Sequence, residues 1–425
     1  MTENKGAPAS GSILVVGGGI SGLTTALEAA EVGYEVFLVE KNPYLGGRVA
    51  QLNQYFPKLC PPTCGLEINF KRIKDNPRIK VFTLAEVEKV AGVPGSYDVS
   101  IKLAPRYVNE NCTACGDCAD ACATEISSEF DFGMKRVKGA YLPFEMAFPS
   151  RYVISPQIVG TEEGKRCKAA CKYNAVDLGM TEKTIELKVG AVVWATGWVP
   201  YDATRIDNLG FGMYSNIITN MMMERMAAPN GPTKGVVQRP SDSKAPQSVA
   251  FVQCAGSRDE NHLPYCSYIC CMASLKQTTY IRAQYPDAKI YVFYIDLRAP
   301  GQRYEKFYEK IKADKNVFFI KGKVAEVMED AQTKNITVVA ENAVTGEKIK
   351  QTVDMVVLAT GMQPTASATK LPADLTYNED GFIINDFEKG GMFAAGCANK
   401  PADVVSSNQN ATGMALKAIQ TLVRK

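Results

Sequence analysis

Histidine is almost absent from this sequence, because His262 is the only one among 425 residues. This scarcity excludes histidine-based catalytic triads and zinc sites built from several histidines. A charge excess is also absent: 48 Lys and Arg stand against 45 Asp and Glu, so nothing predicts a nucleic-acid-binding protein. No apolar run approaches the roughly 18 residues that cross a bilayer, and the leader at 1–12 lacks the apolar core of a secretory signal. We expect a cytoplasmic chain with no transmembrane segment of its own.

Cysteine, in contrast, is abundant, with thirteen residues that fall in clusters. An odd number of cysteines without an export signal favours metal ligation in a reducing compartment over a disulfide framework. The remaining composition, 46% hydrophobic and 22% charged, is that of a globular protein. The length suggests roughly two to three domains.

The N-terminal region carries a dinucleotide-binding fingerprint. An apolar strand at 13–16 runs directly into G-x-G-x-x-G and a helix-like stretch at 23–31. In this setting Gly17 permits the tight turn, Gly19 lets the backbone approach a pyrophosphate, and Gly22 lets helix and strand pack closely. The helix N-terminus adds partial positive charge. The residues of the motif that we assign to the cofactor are Gly17, Gly19, Ile20, Ser21 and Gly22.

The predicted cofactor is FAD. The next strand, at 35–39, leads into Glu40, whose carboxylate can accept hydrogen bonds from ribose hydroxyls, a feature that suits NAD equally well. The Leu-Gly-Gly-Arg sequence at 45–48 resembles the extension that flavoproteins of the glutathione-reductase type place beside FAD. The residues predicted to contact FAD beyond the glycine motif are Glu40, Lys41, Gly47, Arg48, Val87, Thr196, Gly197, Gly396 and Cys397.

Later strands support a flavoprotein with two dinucleotide-binding domains. Two apolar segments, at 191–197 and 355–361, both end in Ala-Thr-Gly, as in that group. A third segment, at 392–397, resembles the strand that closes over the flavin, except that Cys397 stands where an Asp is usual. Cys397 is therefore either a thiol near the ribityl chain of the flavin or a small buried residue.

A ferredoxin-like spacing, C-x2-C-x2-C-x3-C, occurs at Cys112, Cys115, Cys118 and Cys122. Short gaps of this kind let thiolates wrap an iron-sulfur cube, and they suit a cube better than the rival metal, zinc.

The second half of this ferredoxin-like module is a remnant, in which only Cys167 and Cys171 persist. In two-cluster ferredoxins the fourth Cys of each run ligates the other cluster, so the first three cysteines of the run would combine with Cys171. Cys122 and Cys167 are then too few to hold a second cube. The module is predicted to bind one [4Fe-4S] cluster.

A second cluster is predicted where a nicotinamide site would otherwise lie. The strand at 248–253 is followed by Cys254 and not by a second glycine motif. Four thiols with the spacing C-x11-C-x3-C-C can close another [4Fe-4S] cluster, whereas a redox-active disulfide would favour C-x-x-C. The predicted ligands are Cys254, Cys266, Cys270 and Cys271.

The predicted fold class is α/β, a glutathione- or thioredoxin-reductase-like flavoprotein with two dinucleotide-binding domains and an inserted ferredoxin-like iron-sulfur module. The predicted units are a first FAD-binding part at 1–105, the insertion at 106–182, a continuation and linker at 183–245, a degenerate second nucleotide-binding-like domain at 246–354, and a last FAD-binding part at 355–425.

These residues resemble the HdrA-like flavoproteins, which include the HdrA subunit of heterodisulfide reductase and the QmoA subunit of the quinone-interacting membrane-bound oxidoreductase. The specific matches are the run Gln253–Asp259 and the segment Tyr265–Cys271, which generic disulfide reductases lack. The resemblance implies that the second cluster lies close to the flavin. It also implies that Lys276 reaches the isoalloxazine as a catalytic residue, whereas the residues alone favour a surface lysine on a helix.

Two features favour the QmoA type: the length of about 425 residues and the half-degenerate insertion. That resemblance implies a FAD and [4Fe-4S] electron-transfer subunit, peripherally membrane-associated, that relays electrons between the menaquinone pool and adenylylsulfate reductase. Its implied partners are a second flavin and iron-sulfur subunit of the QmoB type and a membrane haem subunit of the QmoC type. The alternative is an HdrA-type subunit that bifurcates electrons. Cys60 and Cys64 depart from the HdrA spacing, and their role is open.

Overall fold

A computed structural model describes residues 11–423 of the chain, so most of the leader, at 1–10, lies outside the described residues. The strands, in chain order, are β1 (Ser12–Val16), β2 (Glu35–Glu40), β3 (Ile79–Thr83), β4 (Ala85–Val93), β5 (Ser96–Leu103), β6 (Glu125–Ser127), β7 (Arg136–Lys138), β8 (Ala140–Tyr141), β9 (Val153–Ile154), β10 (Lys183–Val189), β11 (Ala191–Trp194), β12 (Trp198–Pro200), β13 (Ile217–Thr219), β14 (Ser248–Ala255), β15 (Lys289–Tyr294), β16 (Val317–Lys321), β17 (Val324–Glu329), β18 (Ile336–Glu341), β19 (Lys348–Val353), β20 (Met355–Thr360), β21 (Met362–Pro364) and β22 (Met392–Ala394). The helices are α1 (Ile20–Glu31), α2 (Thr63–Asp75), α3 (Asp117–Asp120), α4 (Glu162–Ala170), α5 (Asn220–Ala227), α6 (Cys270–Gln284), α7 (Gln302–Lys312) and α8 (Val404–Val423).

The first parallel sheet has the order β22-β11-β1-β2-β3. Its central strand β1 is buried on both faces, which is why it reads as an uninterrupted apolar run. Ile13 and Val15 pack against α1 and α8, whereas Leu14 and Val16 face the opposite layer. The C-terminal strand and helix thus return to the sheet that begins the chain, next to the glycine motif.

The second parallel sheet has the order β13-β20-β14-β15-β16 and packs against α5, α6 and α7 on one face. This arrangement corrects two predicted boundaries. The predicted continuation at 183–245 includes β13 and α5, and the predicted last FAD-binding part includes β20, yet β20 pairs with β14 and β13. Apolar parallel strands that end in Ala-Thr-Gly occur in both sheets, so the pattern alone does not identify the sheet.

Two antiparallel sheets accompany the parallel ones, with the orders β10-β5-β4 and β17-β18-β19. The iron-sulfur insertion leaves the first of them at the end of β5 and returns at the start of β10. Leu103 and Lys183 are direct partners across these strands, so the inserted segment begins and ends at one point.

The insertion has its own small core and is tied to the second domain. Cys118, Cys122 and Cys167 are buried in that core. Arg225 of α5 donates to Asp131 at 2.8 Å, and both side chains are at most 6% exposed. Among residues 11–423, no helix is long and apolar enough to span a membrane.

Candidate functional site

A large cavity of about 1240 Å³ lies between the two dinucleotide-binding domains. Its walls contain the glycine loop after β1 at one end and the first turns of α6 at the other. The predicted cofactor residues that line it are Gly17, Gly19, Ile20, Ser21, Glu40, Lys41, Gly47, Arg48, Val87, Thr196, Gly197 and Cys397, together with Lys276. Gly22 and Gly396, also predicted, do not line the cavity and contribute only through the packing of neighbouring segments.

The glycine loop has the geometry of a pyrophosphate site. Gly17 has φ +110°, which an L side chain rarely adopts. A Cβ at Gly22 would collide with the carbonyl oxygen of Gly17, so the third glycine permits close packing of α1 on the loop, as predicted. Gly19 caps α1 without any side-chain hydrogen bond, and the helix N-terminus therefore keeps free N–H groups for an anion.

Glu40 holds the loop from the end of β2. Its carboxylate accepts hydrogen bonds from the backbone N–H of Gly18 and of Asn42, each at 2.7 Å. Burial raises the pKa of Glu40, and these hydrogen bonds act in the opposite direction. The carboxylate thus lies at the cavity edge where the fingerprint requires a ribose acceptor.

The middle of the cavity presents polar groups suited to a flavin nucleotide. The hydroxyl of Thr196 is buried and has no hydrogen-bond partner within residues 11–423. Arg48 is held by the carbonyl of Trp198 at 3.2 Å and by Gln51 at 3.0 Å. Cys397 is a small buried residue that lines the cavity, and burial raises the pKa of its thiol to about 11; its proximity to the ribityl chain of the flavin stays a prediction. The orphaned hydroxyl, the volume and the anion-binding loop together fit FAD.

Lys276 lies in the cavity wall and is 3% exposed, so it is not a surface lysine. Its ammonium contacts the Glu224 carboxylate at 2.9 Å and donates to the carbonyl of Gln54. Glu224 also accepts from Gln277 at 2.7 Å and from the Tyr280 hydroxyl at 3.1 Å. The network fixes the lysine beside the cofactor site. Glu224 is absent from the residues predicted from the sequence, where its one available signal is a charged residue within the Met-rich stretch of α5.

The ferredoxin-like insertion gathers the predicted cluster ligands. Four cysteines line one small cavity, and they are the predicted set: Cys112, Cys115, Cys118 and Cys171. Cys122 and Cys167 do not line it. They lie against each other in the core, where the neighbouring Cys122 and, above all, burial raise the pKa of Cys167 to about 11.

Backbone N–H groups point at the sulfurs of this cavity. The amide of Ala114 lies 3.5 Å from Cys112 Sγ, and that of Ala175 lies 3.2 Å from Cys171 Sγ. Burial raises the pKa of Cys118 to about 12, and the neighbouring thiols add to the shift. A bound cluster would supply the positive charge that such thiolates need, and N–H···S contacts are among the features that set cluster potentials.

The second cysteine group meets at the N-terminus of α6. Cys270 is close enough to the other three thiols to interact electrostatically with each of them, and burial raises its pKa well above the usual value. Cys254, the penultimate residue of β14, has a left-handed conformation with φ +57°, and Tyr268 has φ +68°. These turns bring together cysteines from two separate segments, and the helix N-terminus favours thiolates.

Two arginines that were not predicted from the sequence accompany this group. Arg258 interacts with the Cys254 thiol, and Arg298 with that of Cys271. Within the described part of the chain, no group of three or more His, Cys, Asp or Glu side chains has the spacing of a single-ion site. A cube binds each thiolate to a different iron, so this finding does not bear on it.

The fold is that of two-dinucleotide-domain flavoproteins, as predicted. The thioredoxin reductases of T. acidophilum and Lactococcus lactis superpose with a TM-score of 0.53 each, over 97% of this chain and 97% and 99% of theirs, at 13% identity. The family described as NAD(P)-binding Rossmann-like domain matches residues 15–82. The likeness to these structures shows the fold class: an α/β fold with two dinucleotide-binding domains, as in the thioredoxin reductases.

More specific relatives carry the name heterodisulfide reductase. An HdrA iron-sulfur subunit of the CoB–CoM heterodisulfide reductase of Methanopyrus kandleri is 39% identical over 96% of this chain and 64% of its own length. The HdrA subunit of the H2/formate:CoB–CoM heterodisulfide,ferredoxin reductase of Methanococcus maripaludis is 37% identical over 95% and 63%. The chain is thus similar to HdrA subunits over nearly its whole length, and it spans less than two thirds of the length of these relatives.

These relatives correct the functional prediction. The preference for a QmoA-type relay to adenylylsulfate reductase was wrong, and the HdrA-type alternative fits better. Chain length and a degenerate insertion do not distinguish the QmoA type from the HdrA type. The identity of 37–39% to HdrA subunits covers 95–96% of this chain, including the insertion. The oxidoreductase class and the cofactor classes, FAD and iron-sulfur clusters, agree with the fold and these relatives. The number of clusters, the individual ligands and the cellular location stay predictions.

Proposed function

We propose that the chain is the flavin-bearing, HdrA-type component of a heterodisulfide-reductase-type complex, in which electrons pass between a flavin and iron-sulfur clusters. One observation carries the proposal. The cavity that begins at the glycine loop ends at α6, whose first residues are the cysteines of the second predicted cluster. Tyr268 and Ile269, which directly precede those cysteines, line the same cavity.

When bound, FAD supplies two-electron chemistry that can be divided into single electrons, and each cluster carries one electron. The chain's own residues bind and orient these groups. The N-terminus of α1 would hold the pyrophosphate of FAD, and the Glu40 carboxylate would accept hydrogen bonds from its ribose hydroxyls. Lys276, fixed by Glu224, places a positive charge in the flavin cavity, where it can stabilise added electron density or donate a proton from Nζ.

The proposed partners are one-electron and disulfide-reducing subunits. The curated relatives are named for heterodisulfide and, in part, ferredoxin reduction. For this chain we infer the same classes of exchange: a low-potential one-electron carrier, a disulfide-reducing subunit, and electron bifurcation at the flavin. The absence of a second glycine motif after β14 argues against NADPH as direct donor.

The proposal is tested by affinity purification of the tagged full chain from its native cells under anaerobic conditions. We expect co-purification with disulfide-reducing or hydrogenase subunits and disulfide-dependent reoxidation of the reduced complex. NADPH should leave the flavin of the isolated chain oxidised. A chain that purifies alone and is rapidly bleached by NADPH would instead be a free-standing reductase, contrary to the proposal.

A further inference from the structure

The end of strand β14 contains a buried amide with no partner. The side chain of Gln253 is buried, and neither Nε2 nor Oε1 has a hydrogen-bond partner among the described residues. Leaving such a group unpaired carries the full desolvation cost of its donors and acceptor, and native proteins contain few of them. The amide therefore points to a partner that the chain itself does not supply.

Gln253 directly precedes Cys254 and faces α6. Along β14, Val249 and Phe251 pack in the core shared with α6, whereas Val252 packs in the core of the opposite face. Strand alternation places Gln253 on the α6 side. Cys270, the first residue of α6, donates to the carbonyl of Thr360, whose strand neighbour is Ala255 of β14. The amide thus lies where the strand end and the helix start meet.

Ser274 shares this property on the helix. Its hydroxyl is fully buried and also lacks a partner among the described residues. Ser274 lies three and four residues after Cys271 and Cys270, so it occupies the helix face of these cysteines. Two orphaned donors, one from the strand and one from the helix, therefore border the second cysteine group.

We propose that Gln253 Nε2 and Ser274 Oγ donate hydrogen bonds to sulfur atoms of the cluster held by the second cysteine group. The inference rests on the proposed function, because it requires a cluster at this site. Cluster sulfurs carry partial negative charge that increases on reduction, so donors stabilise the reduced form and raise the reduction potential. Both side chains are tuning residues, since they contact sulfur and ligate no iron.

The test compares reduction potentials in the anaerobic, full-length holoprotein. Gln253→Met keeps the length of the side chain and removes its amide, and Ser274→Ala removes the hydroxyl. We expect each variant to make the second cluster harder to reduce by about tenfold in the one-electron equilibrium constant, equivalent to about 59 mV. Iron and FAD content and the first cluster's potential should not change. The matched control is Val252→Ala, on the opposite face of the strand, which should leave the potential unshifted.

Electron paramagnetic resonance follows both clusters, and the Cys171→Ser variant, which should lack the first cluster, assigns their signals. If the one-electron equilibrium constants of both variants lie within twofold of the wild-type value, the inference is overturned. A buried water would then be the partner of these groups. A wild-type protein with no second cluster would instead overturn the proposed function. If Gln253→Met fails to bind iron, wild-type protein labelled with ¹⁵N at glutamine amides should still show a nitrogen coupling to the reduced second cluster. Absence of that coupling would contradict a Gln253 donor.

Discussion

Replacement of Lys276 by Met removes the positive charge that the structure places beside the flavin site. The ammonium and the Glu224 carboxylate are 2.9 Å apart, with side chains 4% and 2% exposed. Loss of one partner from a buried pair typically costs 3–5 kcal/mol of stability. Glu224 keeps three other donors, including the backbone N–H of Asn53 at 3.0 Å. We therefore expect the free energy of unfolding of Lys276→Met to fall by about 3 kcal/mol, the lower end of that range.

The flavin itself reports the loss of this charge. A hydrogen bond from a charged donor contributes about 1.5–3 kcal/mol, which corresponds to roughly 30–65 mV for a two-electron couple. We therefore expect the flavin potential of Lys276→Met to fall by that amount, with iron content unchanged. The assay is an anaerobic dye-mediated titration followed by flavin absorbance.

Two controls separate charge from folding. Lys289→Met removes an exposed lysine of the same domain and should change neither potential nor stability. The double variant Glu224→Gln/Lys276→Met removes both charges and should recover part of the lost thermal stability without restoring the potential. A flavin titration of Lys276→Met that matches wild type would refute a role for this lysine at the flavin.

Three further predictions follow from other parts of the structure. Cys171→Ser should lose about four irons per chain, whereas Cys167→Ala should lose none, and equal loss by iron assay would refute the ligand set. Gly22→Ala should weaken FAD binding at least about tenfold in a fluorescence titration, because the added Cβ collides with the loop; unchanged affinity would contradict this role. Hydrogen bonds from Thr124 lower the pKa of Glu163 to about 2 from 4.5, so its stabilisation is complete above pH 4.5 and lost as pH falls through 2. The difference in melting temperature between wild type and Glu163→Gln should shrink accordingly over that range, and a constant difference would contradict it.

Local patterns predicted the first sheet correctly, and they indicated two groups of cysteines whose role as cluster ligands stays a prediction. The run 13–16 and its glycine motif are contiguous, so strand, turn and helix follow from neighbouring residues. The cysteine spacing likewise encodes short loops, and the structure gathers the first predicted set around one cavity. The assignment of β20 to the wrong sheet has a different cause. A strand that is buried on both faces is a continuous apolar run, and such a run does not indicate which strands lie beside it.

Contacts between distant segments could not be predicted. Glu224 and Lys276 lie on different helices, and the sequence of neither helix indicates that the two side chains pair. The unpaired amide of Gln253 is likewise a property of its burial, since the same residue on a surface strand would bond to water. The choice between QmoA and HdrA failed for another reason, because it rested on length and degeneracy and not on the site.

The iron, sulfide and FAD content per chain of anaerobically purified protein tests most directly whether this chain joins one flavin to two clusters. We predict about eight irons, about eight sulfides and one FAD, as expected for two cubes and one flavin. About four irons would mean that one cysteine group holds no cluster, and a protein with neither iron nor FAD would contradict the central claim.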